Sequence, residues 1–125
     1  MSKKILVIGG EGYIGKVLCN DLIDNYKVTS LDCLIYDQNN NHFLNKNKNY
    51  TFIKQDIRNI SNYNELFKDV NSIVILAGLV GDPITKKYSN ISNLINFEGI
   101  KSIINEALKN KIERIIFIST CSNYG

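Results

Sequence analysis

The chain of 125 residues has no tryptophan, one proline, one methionine, one histidine and three cysteines. Cys19, Cys33 and Cys121 lie far apart and form no Cys-x-x-Cys pair. With an odd count and no signal peptide, they argue against a disulfide framework and for reduced thiols in the cytoplasm. The single histidine, His42, stands in an Asn-rich tract and reads as a solvated side chain, not a ligand or a base. No run of about 18 apolar residues occurs, so no membrane span is expected. Met1 leads straight into Ser2-Lys3-Lys4 without an apolar leader. Charge of one sign is also scarce: 15 Lys and Arg against 12 Asp and Glu give a net +3. The excess is scattered, which fits a solvated surface and argues against a nucleic-acid partner.

What is present is a regular alternation of elements. At 44% hydrophobic the chain can bury a core, and its length suits one domain over residues 1–125. Short apolar runs read as strands at Lys4–Ile8, Lys27–Leu31, Tyr50–Ile53, Ser72–Leu76 and Arg114–Ile118. Between them the period changes. Ile14, Val17, Leu18, Leu22 and Ile23 fit one helical face ending near Asn25. Asn62, three residues before Glu65, marks a second helix with Tyr63, Leu66, Phe67 and Val70. A third, long helix carries Ile91, Leu94, Ile95, Ile100, Ile103, Ile104, Ala107 and Leu108. Residues 32–49 and 77–90 read as loops, the second holding Pro83. Strands alternating with helices predict an α/β fold, a doubly wound parallel (Rossmann) sheet. Right-handed crossovers give the strand order 3-2-1-4-5.

Ligands of such sheets bind outside the carboxyl ends of the strands, and each of the five ends here carries unusual residues. The first is Gly9-Gly10-Glu11-Gly12-Tyr13-Ile14-Gly15-Lys16. Glycines allow a tight strand-to-helix turn and let a phosphate reach the unpaired N–H groups of the helix start. Three spacings overlap there: Gly9-Gly12-Gly15, Gly10-Gly12-Gly15, and an ATP-loop pattern through Gly10, Gly15 and Lys16. The last needs Ser or Thr after the Lys to hold Mg²⁺. Val17 stands there, on the apolar face expected for the helix, which argues against the ATP loop. Asp32 ends the second strand, about 20 residues beyond the middle glycine. A carboxylate there accepts hydrogen bonds from both adenosine ribose hydroxyls and repels a 2′-phosphate, favouring NAD over NADP.

Taken together these residues resemble the extended short-chain dehydrogenase/reductase family, in particular its NAD-dependent nucleotide-sugar epimerases and dehydratases. The stretch from Gly9 to Gly15 is similar to the family's G-G-x-G-[YF]-I-G fingerprint, with Ile8 where Thr usually precedes it. The likeness favours the Gly9-Gly12-Gly15 spacing, with Gly10 as an extra turn residue. Tyr13 and Ile14 follow as cofactor-binding positions of the fingerprint. Asp56-Ile57-Arg58 resembles the D-[ILV]-R element, whose Asp meets the adenine amino group while the next residue packs beside the base. Leu76-Ala77-Gly78 is similar to the L-A-A that lines the cofactor, and Asn96 with Gly99 to N-x-x-G. Ser119 to Gly125 matches S-[ST]-x-x-x-Y-G, which makes Thr120 the catalytic hydroxyl, hydrogen-bonded to the sugar oxygen undergoing hydride transfer.

The resemblance also implies what this sequence does not contain. The family's acid/base is a Tyr-x-x-x-Lys pair on the helix after this segment. The string Tyr50 to Lys54 has that spacing but falls on a strand, and is read as coincidence. Cys121 has no His beside it and is not read as a nucleophile. The expectation is the N-terminal part of an NAD-dependent epimerase/dehydratase, incomplete on its C-terminal side and inactive alone. The alternative is a stand-alone NAD-binding regulatory module or a pseudoenzyme. The complete enzyme would take a nucleotide-sugar. With no further strand beside it, the fifth strand would expose apolar residues and favour self-association.

Overall fold

The computed structural model describes residues 3–32, 46–57, 60, 62–76 and 98–118. Five strands and three helices follow one another in these stretches. They are β1 (Lys4–Ile8), α1 (Tyr13–Leu22), β2 (Lys27–Asp32), β3 (Tyr50–Lys54), α2 (Tyr63–Leu66), β4 (Ser72–Ile75), α3 (Ile100–Lys109) and β5 (Arg114–Phe117). The sheet has the order β3-β2-β1-β4-β5. Every pairing is parallel, with Ile8 opposite Leu31 and Ile75, and Ile75 opposite Phe117. The expected order and direction are both found. Strand limits agree with the sequence reading to within one residue.

The apolar runs form strands because both faces of the central ones are covered. On one face Leu6, Ile8, Leu31, Ile73 and Ile75 pack with Leu66, Phe67 and Val70 after the start of α2, and with Ile100, Ile103 and Ala107 of α3. On the other, Ile5, Val7, Val28, Tyr50 and Val74 pack with Cys19 and Ile23 of the α1 segment. Leu6, Val7, Ile8, Leu31, Ile73 and Ile75 are fully buried. Each contributes roughly 1.5–3 kcal/mol of transfer free energy.

The helices depart from the sequence reading in three places. In α1 the buried positions are Gly15 and Cys19, with Ile23 as the cap residue, while Ile14 and Val17 are 60% and 59% exposed. The close approach of Gly15 to the loop before it fixes the rotation of the helix, and this turns Ile14 and Val17 outward. Helix α2 is one turn only; Asn62 caps it, its Oδ1 accepting from the Glu65 N–H at 3.0 Å. The chain leaves that turn through Asp69, whose φ of 62° is left-handed, so Val70 reaches the core from outside the helix. Helix α3 buries Ile100, Ile103 and Ala107 but leaves Leu108 67% exposed at its last turn. It ends in a Schellman motif: the Ile112 N–H donates to the Ala107 carbonyl and the Lys111 N–H to that of Leu108. Lys111 takes the left-handed position with φ 56°. Ile91, Leu94 and Ile95, expected in the same helix, lie outside the described residues, as does the loop segment with His42. Among the described residues, no helix is long and apolar enough to cross a membrane.

Candidate functional site

The backbone ladder continues past the strand ends and sets their residues side by side. The Gly9 N–H donates to the Leu31 carbonyl at 2.7 Å, the Leu76 N–H to that of Ile8 at 2.8 Å, and the Gln55 N–H to that of Asp32 at 3.1 Å. The glycine loop, Asp32, Gln55-Asp56 and Leu76 therefore lie along one edge of the sheet. Gly9 needs its glycine backbone freedom, with φ at 86°.

The loop has no room for side chains where it packs. A Cβ on Gly15 would lie 2.5 Å from the Gly9 carbonyl oxygen and 2.7 Å from the Gly10 Cα. A Cβ on Gly10 would lie 2.0 Å from the Ser30 Oγ. Gly10 is thus more than the extra turn residue expected of it: it lets the loop rest on β2. Gly12 is different, since a Cβ there would meet only the Gly9 carbonyl oxygen, at 3.5 Å. Helix α1 starts at that open position. Among the described residues no side chain caps it and no acidic residue stands in its first turn. Its N-terminal N–H groups and dipole face the edge beside Gly12, an arrangement that receives phosphate. Tyr13 is 91% exposed beside it.

Asp32 is held in place from the loop. Its Oδ2 accepts the backbone N–H of Glu11 at 3.0 Å, so the carboxylate is fixed at the mouth of the loop and half-buried. Asp56 is half-buried after β3. Ile57 lies deeper, packed in the core cluster with Leu31 and Ile75. Leu76 packs partly buried against the α1 side of the sheet. Ala77, Gly78, Asn96, Thr120 and the Ser119–Gly125 match fall outside the described residues, as do Cys33, Cys121 and Arg58.

The sequence reading missed a buried polar group beneath the loop. Glu11 is 3% exposed, and its Oε1 accepts from the Tyr50 hydroxyl and, at 3.4 Å, from the Ser30 Oγ. Burial and then the Glu11 charge push the Cys19 thiol up to about 12. Burial, followed by the hydrogen bond to Glu11, also raises the Tyr50 phenol well above the ordinary tyrosine range. An acid/base tyrosine needs the opposite shift, which agrees with reading Tyr50 to Lys54 as coincidence. Two signals for this group stood in the sequence: a carboxylate between glycines, and a Thr29-Ser30 pair inside a central strand expected to be covered on both faces.

Comparison with known proteins places this geometry. The model of the NAD dependent epimerase/dehydratase family matches residues 5–125. The chain is 30% identical, over its whole length, to the UDP-N-acetyl-alpha-D-glucosaminuronate decarboxylase of Bacillus cytotoxicus, covering 39% of that protein. Its structure is similar to a UDP-N-acetylglucosamine 4-epimerase from Methanobrevibacter ruminantium solved with UDP-N-acetylmuramic acid. The TM-score there is 0.90 at 29% identity, over 99% of this chain and 40% of the other. It is similar also to the UDP-glucuronic acid 4-epimerase of Bacillus cereus solved with NAD. There the TM-score is 0.87 at 30% identity, over 98% of this chain and 41% of the other. The chain thus spans about two fifths of the length of these relatives. With the fingerprint, the strand order and the matched residues in agreement, the chain belongs to the NAD-dependent epimerase/dehydratase family.

Proposed function

We propose that this chain is the N-terminal, NAD-binding part of a cytoplasmic nucleotide-sugar epimerase/dehydratase. The observation that carries the reading is Asp32, fixed by the Glu11 N–H at the mouth of a loop whose Gly10 and Gly15 have no space for a side chain. The residues fit a dinucleotide. Gly9, Gly12 and Gly15, with the N–H groups of Tyr13 and Ile14, would hold the diphosphate. Asp32 would accept from the adenosine ribose hydroxyls. Asp56 would meet the adenine amino group, with Ile57 supporting that side from the core. Leu76, with Ala77, Gly78 and Asn96, would line the remainder of the cofactor site, and Thr120 would hydrogen-bond the reacting sugar oxygen; for the last four the support is the resemblance. NAD held there would supply a hydride acceptor for a sugar carbon. The protein's own part is to orient the dinucleotide and exclude its 2′-phosphorylated form. The substrate class is supported by two relatives whose names carry UDP-sugars.

Calorimetry with the chain tests this. NAD should bind, and Asp32→Ala should weaken NAD at least about tenfold, as loss of a charged hydrogen-bond acceptor implies, with little effect on NADP. Equal loss for both would refute the role of Asp32. Mixed with NAD and a UDP-sugar, the chain alone should form no NADH. Sugar oxidation by it would refute the assignment as a cofactor-binding part.

A further inference from the structure

Glu11 occupies the variable position of the glycine fingerprint, yet it is the residue through which the loop is tied to the sheet. Its N–H donates to Asp32 at 3.0 Å. Its side chain turns the other way, into the body of the fold, where Ser30 of β2 and Tyr50 of β3 donate to it. Ser30 is fully buried and Tyr50 is 6% exposed. Glu11 is flanked by Gly10 and Gly12, which add no stiffness of their own. The same Ser30 hydroxyl also bounds the space at Gly10. A carboxylate this deeply buried carries a desolvation penalty, and two O–H donors to its Oε1 offset part of it. Fixing the side chain fixes the peptide between the two glycines, and that peptide holds Asp32.

We propose that Glu11 is a positioning residue for the ribose-binding carboxylate, with Tyr50 and Ser30 as its anchors. The proposal rests on the NAD reading above. Glu11 touches the carboxylate of Asp32 through its backbone and needs no contact with the dinucleotide. Two consequences follow. The anchor requires an acceptor oxygen more than a charge, so Glu11→Gln should preserve it. Its loss should change the preference between NAD and NADP, because it acts through Asp32.

The test compares the unsubstituted chain with Tyr50→Phe, Glu11→Gln and Glu11→Ala by calorimetry with NAD and NADP, well below each melting temperature. Tyr50→Phe and Glu11→Ala should weaken NAD about five- to tenfold and NADP less than about twofold. Glu11→Gln should stay within about twofold of the parent for both. A lower melting temperature with an unchanged NAD-to-NADP ratio would overturn the proposal and leave Glu11 a packing residue. Amide hydrogen exchange gives a reading independent of ligand. In Tyr50→Phe the Glu11 N–H should exchange faster than global destabilisation explains, taking the β1 amides as internal reference. Glu11 exchange that changes only in step with β1 would overturn the anchoring whatever the chain binds. If the unsubstituted chain binds no NAD, the functional reading fails, and the exchange result still decides the anchoring.

Discussion

Gly15→Ala should unfold the loop-to-helix junction, while Gly12→Ala should spare the fold and damage binding. At Gly15 the new Cβ would lie 2.5 Å from the Gly9 carbonyl oxygen and 2.7 Å from both the Gly10 Cα and carbonyl carbon. These are backbone atoms and cannot rotate aside, so α1 must move off the loop. Overpacking of this kind costs roughly 1–3 kcal/mol. Three backbone atoms inside 3.0 Å put that cost in the upper part of the range, about 2–3 kcal/mol, and alanine in a helix recovers up to about 1 kcal/mol over glycine, so the overlap prevails by about 1–2 kcal/mol. At roughly 4 °C per kcal/mol the melting temperature should fall by about 4–8 °C. At Gly12 the nearest atom to a Cβ is 3.5 Å away, an ordinary contact, so stability should change by less than about 0.5 kcal/mol. The methyl would instead stand where a phosphate approaches the helix start, and NAD affinity should fall at least about tenfold, the scale of a lost charged hydrogen bond. Thermal melts and calorimetry on the two variants decide the matter. A Gly15→Ala chain that melts with the parent, or a Gly12→Ala chain that loses as much stability as Gly15→Ala, would refute the packing argument.

Other consequences are independent of the cofactor. Lys111→Gly should stabilise the chain by up to about 1 kcal/mol in urea melts, because Lys111 holds a left-handed φ of 56° at the Schellman position. A loss of stability would contradict that cap. The Cys19 thiol is held up to about 12 from an ordinary value of 9.0. Its raised folded value favours folding fully below the unfolded value, and the contribution is lost as pH rises from about 9 to about 12. Unfolding midpoints should drop across that window, and Cys19→Val should flatten the drop; an unchanged slope in the variant would rule Cys19 out as the cause. On β5 and just after it, Ile116, Phe117 and Ile118 are 41%, 49% and 49% exposed, on a strand paired only with β4 among the described residues. This edge is proposed to self-associate, giving a concentration-dependent sedimentation profile, whereas a constant monomer mass would refute it.

The sheet was legible because its signals are short-range. Runs such as Ile5 to Ile8 are apolar at every position and short, as a strand buried on both faces requires. Chirality then leaves few strand orders to choose among. Asn62 with Glu65 marked a helix start for a local reason, a side chain reaching an N–H three residues on. The length of that helix was not legible, because Val70 reaches the core through the left-handed turn at Asp69 and not along a helical face. The rotation of α1 was misread for a similar cause. Hydrophobicity favoured Ile14 and Val17, but the contact of Gly15 with Gly9 and Gly10 is steric and has no hydrophobic signature. Asp32 was legible through its spacing from the glycines. Its support was not, since Glu11, Ser30 and Tyr50 come together only when three elements pack.

The glycine loop and Asp32 are proposed to form one site for NAD. One calorimetric series with NAD, NADP and Mg-ATP decides this. NAD should bind saturably, NADP at least about tenfold more weakly because a 2′-phosphate would meet the Asp32 carboxylate, and Mg-ATP should give no heat. Mg-ATP binding in the absence of NAD binding would contradict that reading.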